Sequence, residues 1–223
     1  EAHAYAILTS RNIDIPVKTS GAFLRVHSRL HSEKEEEEGL LGLETPYSVI
    51  LERAGKVDRA VLEGLSRRLN LKGENRGTQA RDGVSALAKK IRKVEEEKKA
   101  HKKKFDSARG VLSRDLRNRW PDLENRYSPG AIRLLSREKR QSQFVSAVEE
   151  HPRFEEWSKL RAERSKLSDR DLQLSKEYAS WRRFLRAFEN VAYAANLPVI
   201  CGEDVVGTYM WILAAEQEGF SGN

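Results

Sequence analysis

One cysteine, one methionine and six prolines are all that the 223 residues hold of these types. A lone Cys201 excludes an internal disulfide framework and favours a reducing, intracellular compartment. With Met210 as its only methionine, the chain is expected to be part of a longer protein. No apolar run reaches the roughly 18–20 residues that a membrane-crossing helix needs. The longest, 205–215, is interrupted by Gly207 and Thr208 and reads as core. Catalytic signatures are lacking too. The glycine-bearing loop 72–77 leads from Gly77 into Thr78 and Gln79, not into the Lys-Ser or Lys-Thr that completes a phosphate-cradling loop. No dinucleotide fingerprint, zinc ribbon or kinase signature occurs, so an enzyme is the third reading, with no catalytic residue and no cofactor assigned.

Charge is what the chain has in excess. Charged residues make up 34% and apolar residues 39%, against roughly 25% and 45–50% in an ordinary globular domain. Elongation explains this better than disorder, because four Trp, six Tyr and seven Phe give the chain enough to bury. The net charge is +7, and 89–104 alone sets nine basic residues against three acidic ones. Such a run either neutralises phosphates, meets an acidic protein, or is simply a solvated helix face.

Hydrophobic spacing predicts an all-α fold. A short extended piece near 13–17 and a helix through Phe23, Leu24 and Leu30 open the chain. The acidic run 33–38 reads as a helix end or loop, and Thr45-Pro46 starts two helices split near Gly55. After the loop 72–77, with Thr78 a candidate cap, one helix is expected over about 79–119 and stops at Trp120-Pro121. Ser128-Pro129 opens a middle helix to about 150, which His151-Pro152 ends. From 154 to about 196, Trp157, Leu160, Leu167, Leu174, Trp181, Leu185 and Phe188 keep a three-four spacing with no proline or glycine among them. Leu197-Pro198 should close that helix, followed by a short extended piece and a last helix from about 204.

A helix of some 40 residues is on the order of 60 Å long and needs a partner for its apolar stripe. The expected architecture is therefore a long antiparallel, coiled-coil-like hairpin, 78–196, with its middle helix near 130–150, and a small helical head made by 1–77 and 197–223. Setting Leu112 against Leu160 and Val84 against Phe188 places His101 opposite Asp171, where Lys98 or His101 against that carboxylate would fix the register more than add stability.

Three constellations carry chemistry. His27, His31 and Glu35 recur every four residues and would share one helix face able to hold a divalent metal, though ordinary surface histidines are the preferred reading. Cys201 would be a nucleophile only with a histidine close in space, and is otherwise a small buried apolar group; Glu203 and Asp204 read as helix N-terminal charges. Helices at 57–71 and 78–92 joined by a glycine loop have the outline of a helix-turn-helix, offering Arg81, Lys89, Lys90 and Arg92 to nucleic acid. Lys93, Lys98, Lys99, Lys102, Lys103 and Lys104 continue the basic face, and Arg133 and Arg137 extend it to the hairpin tip. Two helices packed in a head explain the same residues without DNA or RNA. The reading preferred is an interaction or assembly protein, scaffold or adaptor, whose charged hairpin meets a protein partner or a second copy through its heptad surfaces; nucleic-acid binding is the alternative.

Overall fold

The computed structural model describes residues 5, 7, 8, 13, 18–31, 39–125 and 127–221. From Thr19 onward the elements are α1 (Thr19–His27), α2 (Tyr47–Arg53), α3 (Lys56–Arg68), α4 (Arg76–Arg119), a 3-10 turn (Pro121–Glu124), α5 (Pro129–Ser136), α6 (Glu138–Glu149), α7 (Phe154–Ile200) and α8 (Glu203–Ser221). No strand occurs among the described residues. None of their helices is long and apolar enough to cross a membrane. The fold is all-α, and α4 and α7, 44 and 47 residues long, pack antiparallel as a helical hairpin. Contacts divide the chain into two units, Glu1–Lys90 with Leu174–Asn223, and Ile91–Gln173.

The first unit holds one core of Tyr47, Ile50, Val61, Leu62, Leu65, Leu71, Ala80, Phe184, Leu185, Phe188, Val191 and Ala192. Its loops are tied by polar groups that fill the helix ends. Asn70 takes a positive φ after α3, so that Asn70 N–H donates to Arg67 O and Leu71 N–H to Ser66 O, the paired bonds that close a helix on a left-handed residue. The next loop supplies Glu74, whose backbone carbonyl accepts from Tyr47 N–H and whose carboxylate accepts from Ser48 N–H and Oγ. Those bonds to Ser48 hold the Glu74 carboxyl below its ordinary range. Helix α1 rests on α8, with Ser20 donating to the Glu216 carboxylate and Phe23 stacked 6.3 Å from Tyr209.

In the second unit, Val94, Phe105, Ala108 and Leu112 are buried on α4 at the three-four spacing that faces α7. Phe105 lies 6.5 Å from Trp157, and Lys98 Nζ is 2.6 Å from Asp171 Oδ2. Trp120 meets Phe144 edge-on at 5.5 Å, while Ala131, Leu134 and Ala147 are buried where α5 and α6 fold together.

Several boundaries differ from expectation. The acidic run 33–38 and all of 13–17 except Ile13 lie outside the described residues. Helix α4 starts at Arg76, not at Thr78: the carbonyl of Asn75 accepts the Gln79 N–H, and the Thr78 hydroxyl donates to that same carbonyl. The middle helix is two helices, because Arg137 is extended, letting α5 turn back onto α6 and both bury their small residues. Helix α7 runs through Pro198 to Ile200. Asn196 and Leu197, 1% and 0% exposed, anchor this last turn, and Cys201 N–H still reaches Leu197 O, so the one bond that proline removes is tolerated. The register is also shifted. Phe188 sits against Gly77 and Trp181 against Gly83; of the two candidate partners of Asp171 it is Lys98 that meets it, while His101 faces Glu163. Aromatic rings settle where the facing helix has no Cβ, a criterion that apolar spacing does not contain.

Candidate functional site

The seam of the second unit decides where its charges go. With Val94, Phe105, Ala108 and Leu112 turned inward, the lysines between them are carried outward. Arg92, Lys93, Lys99, Lys102, Lys103 and Lys104 are exposed on α4, and none of them is in an ion pair among the described residues. The unit Ile91–Gln173 contains 22 basic and 15 acidic residues, the whole of the chain's +7, whereas the other unit holds 19 of each. Periodicity and composition together had marked the basic run; the complete segregation of the excess charge becomes visible only once the fold divides the chain.

The remaining predicted nucleic-acid contacts are distributed less uniformly. Lys98 is half-buried and spent on Asp171, and Arg81 pairs with Glu44 and Asp82 at 3.3 Å. Lys89 and Lys90 are exposed at the end of the first unit's share of α4, and Arg133 and Arg137 are exposed on α5 and at its junction with α6. The helix pair outlined as a helix-turn-helix is built into the core: α3 contributes Val61, Leu62 and Leu65, and the start of α4 is covered, with Gly77 against Leu43 O and Phe188 and Ala80 fully buried.

Between α4 and α7 within the second unit runs a groove of about 500 Å³ lined by Lys98, Lys99, His101, Lys102, Arg164 and Leu167. Arg164 is held with its Cζ 4.9 Å over the Phe105 ring. The His101 side chain is only 10% exposed, its Nε2 lying 3.4 Å from Glu163 Oε2 without a hydrogen bond. Glu97 and Arg170 close an ion pair at 3.1 Å beside it.

The metal constellation is not assembled on one helix. α1 ends at His27 because Ser28 is extended and donates its hydroxyl to Tyr193 O, so His31, four residues on, leaves the face that His27 occupies. Glu35 lies outside the described residues. His27 packs tilted against Phe23, ring centroids 4.2 Å apart, and His31 Nδ1 is buried without a hydrogen-bond partner. Among the described residues no group of three or more His, Cys, Asp or Glu is placed to hold a metal ion. Cys201 Sγ donates to the backbone carbonyl of His27 at 3.0 Å. Glu203 and Asp204 stand in the first turn of α8.

A polar cluster escaped sequence reasoning. Arg182, Arg186 and Glu189 follow one another along one face of α7, and Arg25 reaches over from α1 to donate to Asn190 Oδ1 and Gly21 O. Burial raises the Glu189 carboxyl even though the three guanidiniums pull it down, and burial also lowers Arg186, helped by Arg25 and Arg182. The spacing of the α7 residues was readable, but Arg25 is 157 positions before Arg182, a convergence no local pattern encodes. Compared with known protein families, with curated proteins and with solved structures, the chain matches none.

Proposed function

We propose that the chain is a helical interaction protein that presents its charged hairpin, Ile91–Gln173, to an acidic partner surface. The observation that carries this reading is the confinement of the entire net charge to that unit, together with its exposed Lys93, Lys99, Lys102, Lys103 and Lys104, none of which enters an ion pair among the described residues. The apolar seam is satisfied within the hairpin, so the outer rows are free for a partner. Reversing Lys102, Lys103 and Lys104 to glutamate leaves the seam intact and is expected to abolish retention on polyglutamate without altering helical content by circular dichroism. Retention unchanged by the triple reversal would refute the proposal.

Nucleic-acid association is a second reading, favoured by the same unpaired row together with exposed Arg133 and Arg137. It requires binding to duplex or single-stranded DNA or RNA at about 50 mM salt that weakens steeply as salt rises, because each phosphate contact releases counterions. Absence of binding at that salt removes it.

A further inference from the structure

The groove between α4 and α7 in the second unit differs from the rest of the basic surface in being walled on two sides. Lys98, Lys99 and Lys102 come from one stretch of α4, and Arg164 faces them from α7; Glu95 is the acidic residue of the lining. Lys98 has an acidic partner in Asp171, while Lys99, Lys102 and Arg164 enter no ion pair among the described residues. Like charges gathered in one concavity repel, and an anion placed among them removes that repulsion while gaining charge-assisted hydrogen bonds. Two features make the place more than a diffuse positive field. Arg164 is oriented by Phe105 at 4.9 Å. The floor pairs the apolar Leu167 with the ring of His101, a side chain nine-tenths buried whose Nε2 lies 3.4 Å from Glu163 Oε2 without a hydrogen bond. A volume of about 500 Å³ matches a group of nucleotide size.

We infer that this groove is a binding site for phosphate-bearing ligands, with Lys99, Lys102 and Arg164 on the phosphate oxygens and the floor of Leu167 and His101 against the less polar remainder. The inference rests on the reading of this hairpin as the chain's interaction surface, and it names the chemistry that surface takes. Phosphate reaches such a groove either on a free nucleotide or along a nucleic-acid strand.

The test is calorimetric titration of the full chain at about 50 mM salt with inorganic tripolyphosphate, ATP and a single-stranded oligonucleotide. Three variants are compared with the parent: Lys102→Ala with Arg164→Ala in the groove, Lys99→Glu in the groove as a single exposed substitution that leaves the seam untouched, and Lys139→Ala with Arg140→Ala outside it. Both groove variants are expected to weaken tripolyphosphate by about tenfold or more, the scale of one or two lost charge-assisted hydrogen bonds, and the outside pair by less than about twofold. ATP binding more tightly than tripolyphosphate assigns the floor to a nucleotide base; an oligonucleotide that binds where ATP is no tighter than tripolyphosphate assigns the site to a strand. Equal weakening by the groove and outside variants, or no binding of any probe by the parent, overturns the inference. Polyglutamate retention is measured on these variants and on the Lys102, Lys103 and Lys104 reversal: its loss on that reversal with no phosphate binding by the parent sinks the groove and leaves the acidic-partner reading standing, whereas phosphate binding weakened by the groove variants with retention unchanged by the reversal sinks that reading alone.

Discussion

At Gly83, an added Cβ would lie 2.5 Å from Cε3 of Trp181, and at Gly77 it would meet Leu43 O and the Phe188 ring. An alanine at either place gains up to about 1 kcal/mol of helix propensity, yet overpacking a fitted contact costs about 1–3 kcal/mol. Gly83→Ala is therefore expected to lower stability by about 1–2 kcal/mol, measured by urea denaturation; a more stable variant would mean that Trp181 swings aside freely. Asn196 is the other decisive side chain. It is 1% exposed, accepts from Leu41 N–H at 2.8 Å, and donates to Arg29 O at 2.8 Å and Leu41 O at 2.9 Å. Asn196→Leu removes all three bonds, leaving Leu41 N–H and Arg29 O without this partner while Leu41 O keeps the His31 N–H, and is expected to cost about 1–3 kcal/mol; an unchanged denaturation midpoint would show that Arg29 and Leu41 are not held there.

Among the elements, α8 has a titration signature. Burial, with Asp58 and Glu216 adding to it, raises the Tyr209 phenol from its ordinary 10.0 to about 12. A raised folded-state value means that the unfolded chain loses this proton first. The contribution is fully present below pH 10 and is lost as pH climbs through about 12. Burial raises Tyr47 and Tyr193 in the same direction. Tyr209→Phe should therefore flatten the alkaline loss of stability between about pH 10 and 12, read from denaturation midpoints across that window; an unaltered slope would separate Tyr209 from it. Element type was largely legible in the chain, since the three-four spacing of Trp157 through Phe188 is a local property of a helix. Element ends were not, as Arg137 and Pro198 show. Whether a proline is tolerated or an arginine is extended depends on what the flanking residues are packed against.

For the molecule as a whole, the division of charge follows the division of structure. All of the core cluster lies in the unit formed by Glu1–Lys90 and Leu174–Asn223, which holds 19 basic and 19 acidic residues. Replacing 91–173 by a short glycine-serine turn is expected to leave a cooperatively melting helical protein that retains neither polyglutamate nor phosphate. Loss of cooperative unfolding, followed by circular dichroism, would show that the core depends on the hairpin.

Helicity, the near-continuous length of α4 and α7 and the concentration of lysine between 89 and 104 were determined by the sequence alone, because backbone hydrogen bonding, side-chain period and charge are carried by residues a few positions apart. Tertiary structure alone decided the sliding of α4 along α7, the exit of His31 from the face of His27, the meeting of Arg25 with Arg186, and the gathering of Lys99, Lys102 and Arg164 around one groove. Each of these joins residues on different elements, and shape complementarity between rings and glycines selects among registers that hydrophobic spacing leaves nearly equal in energy.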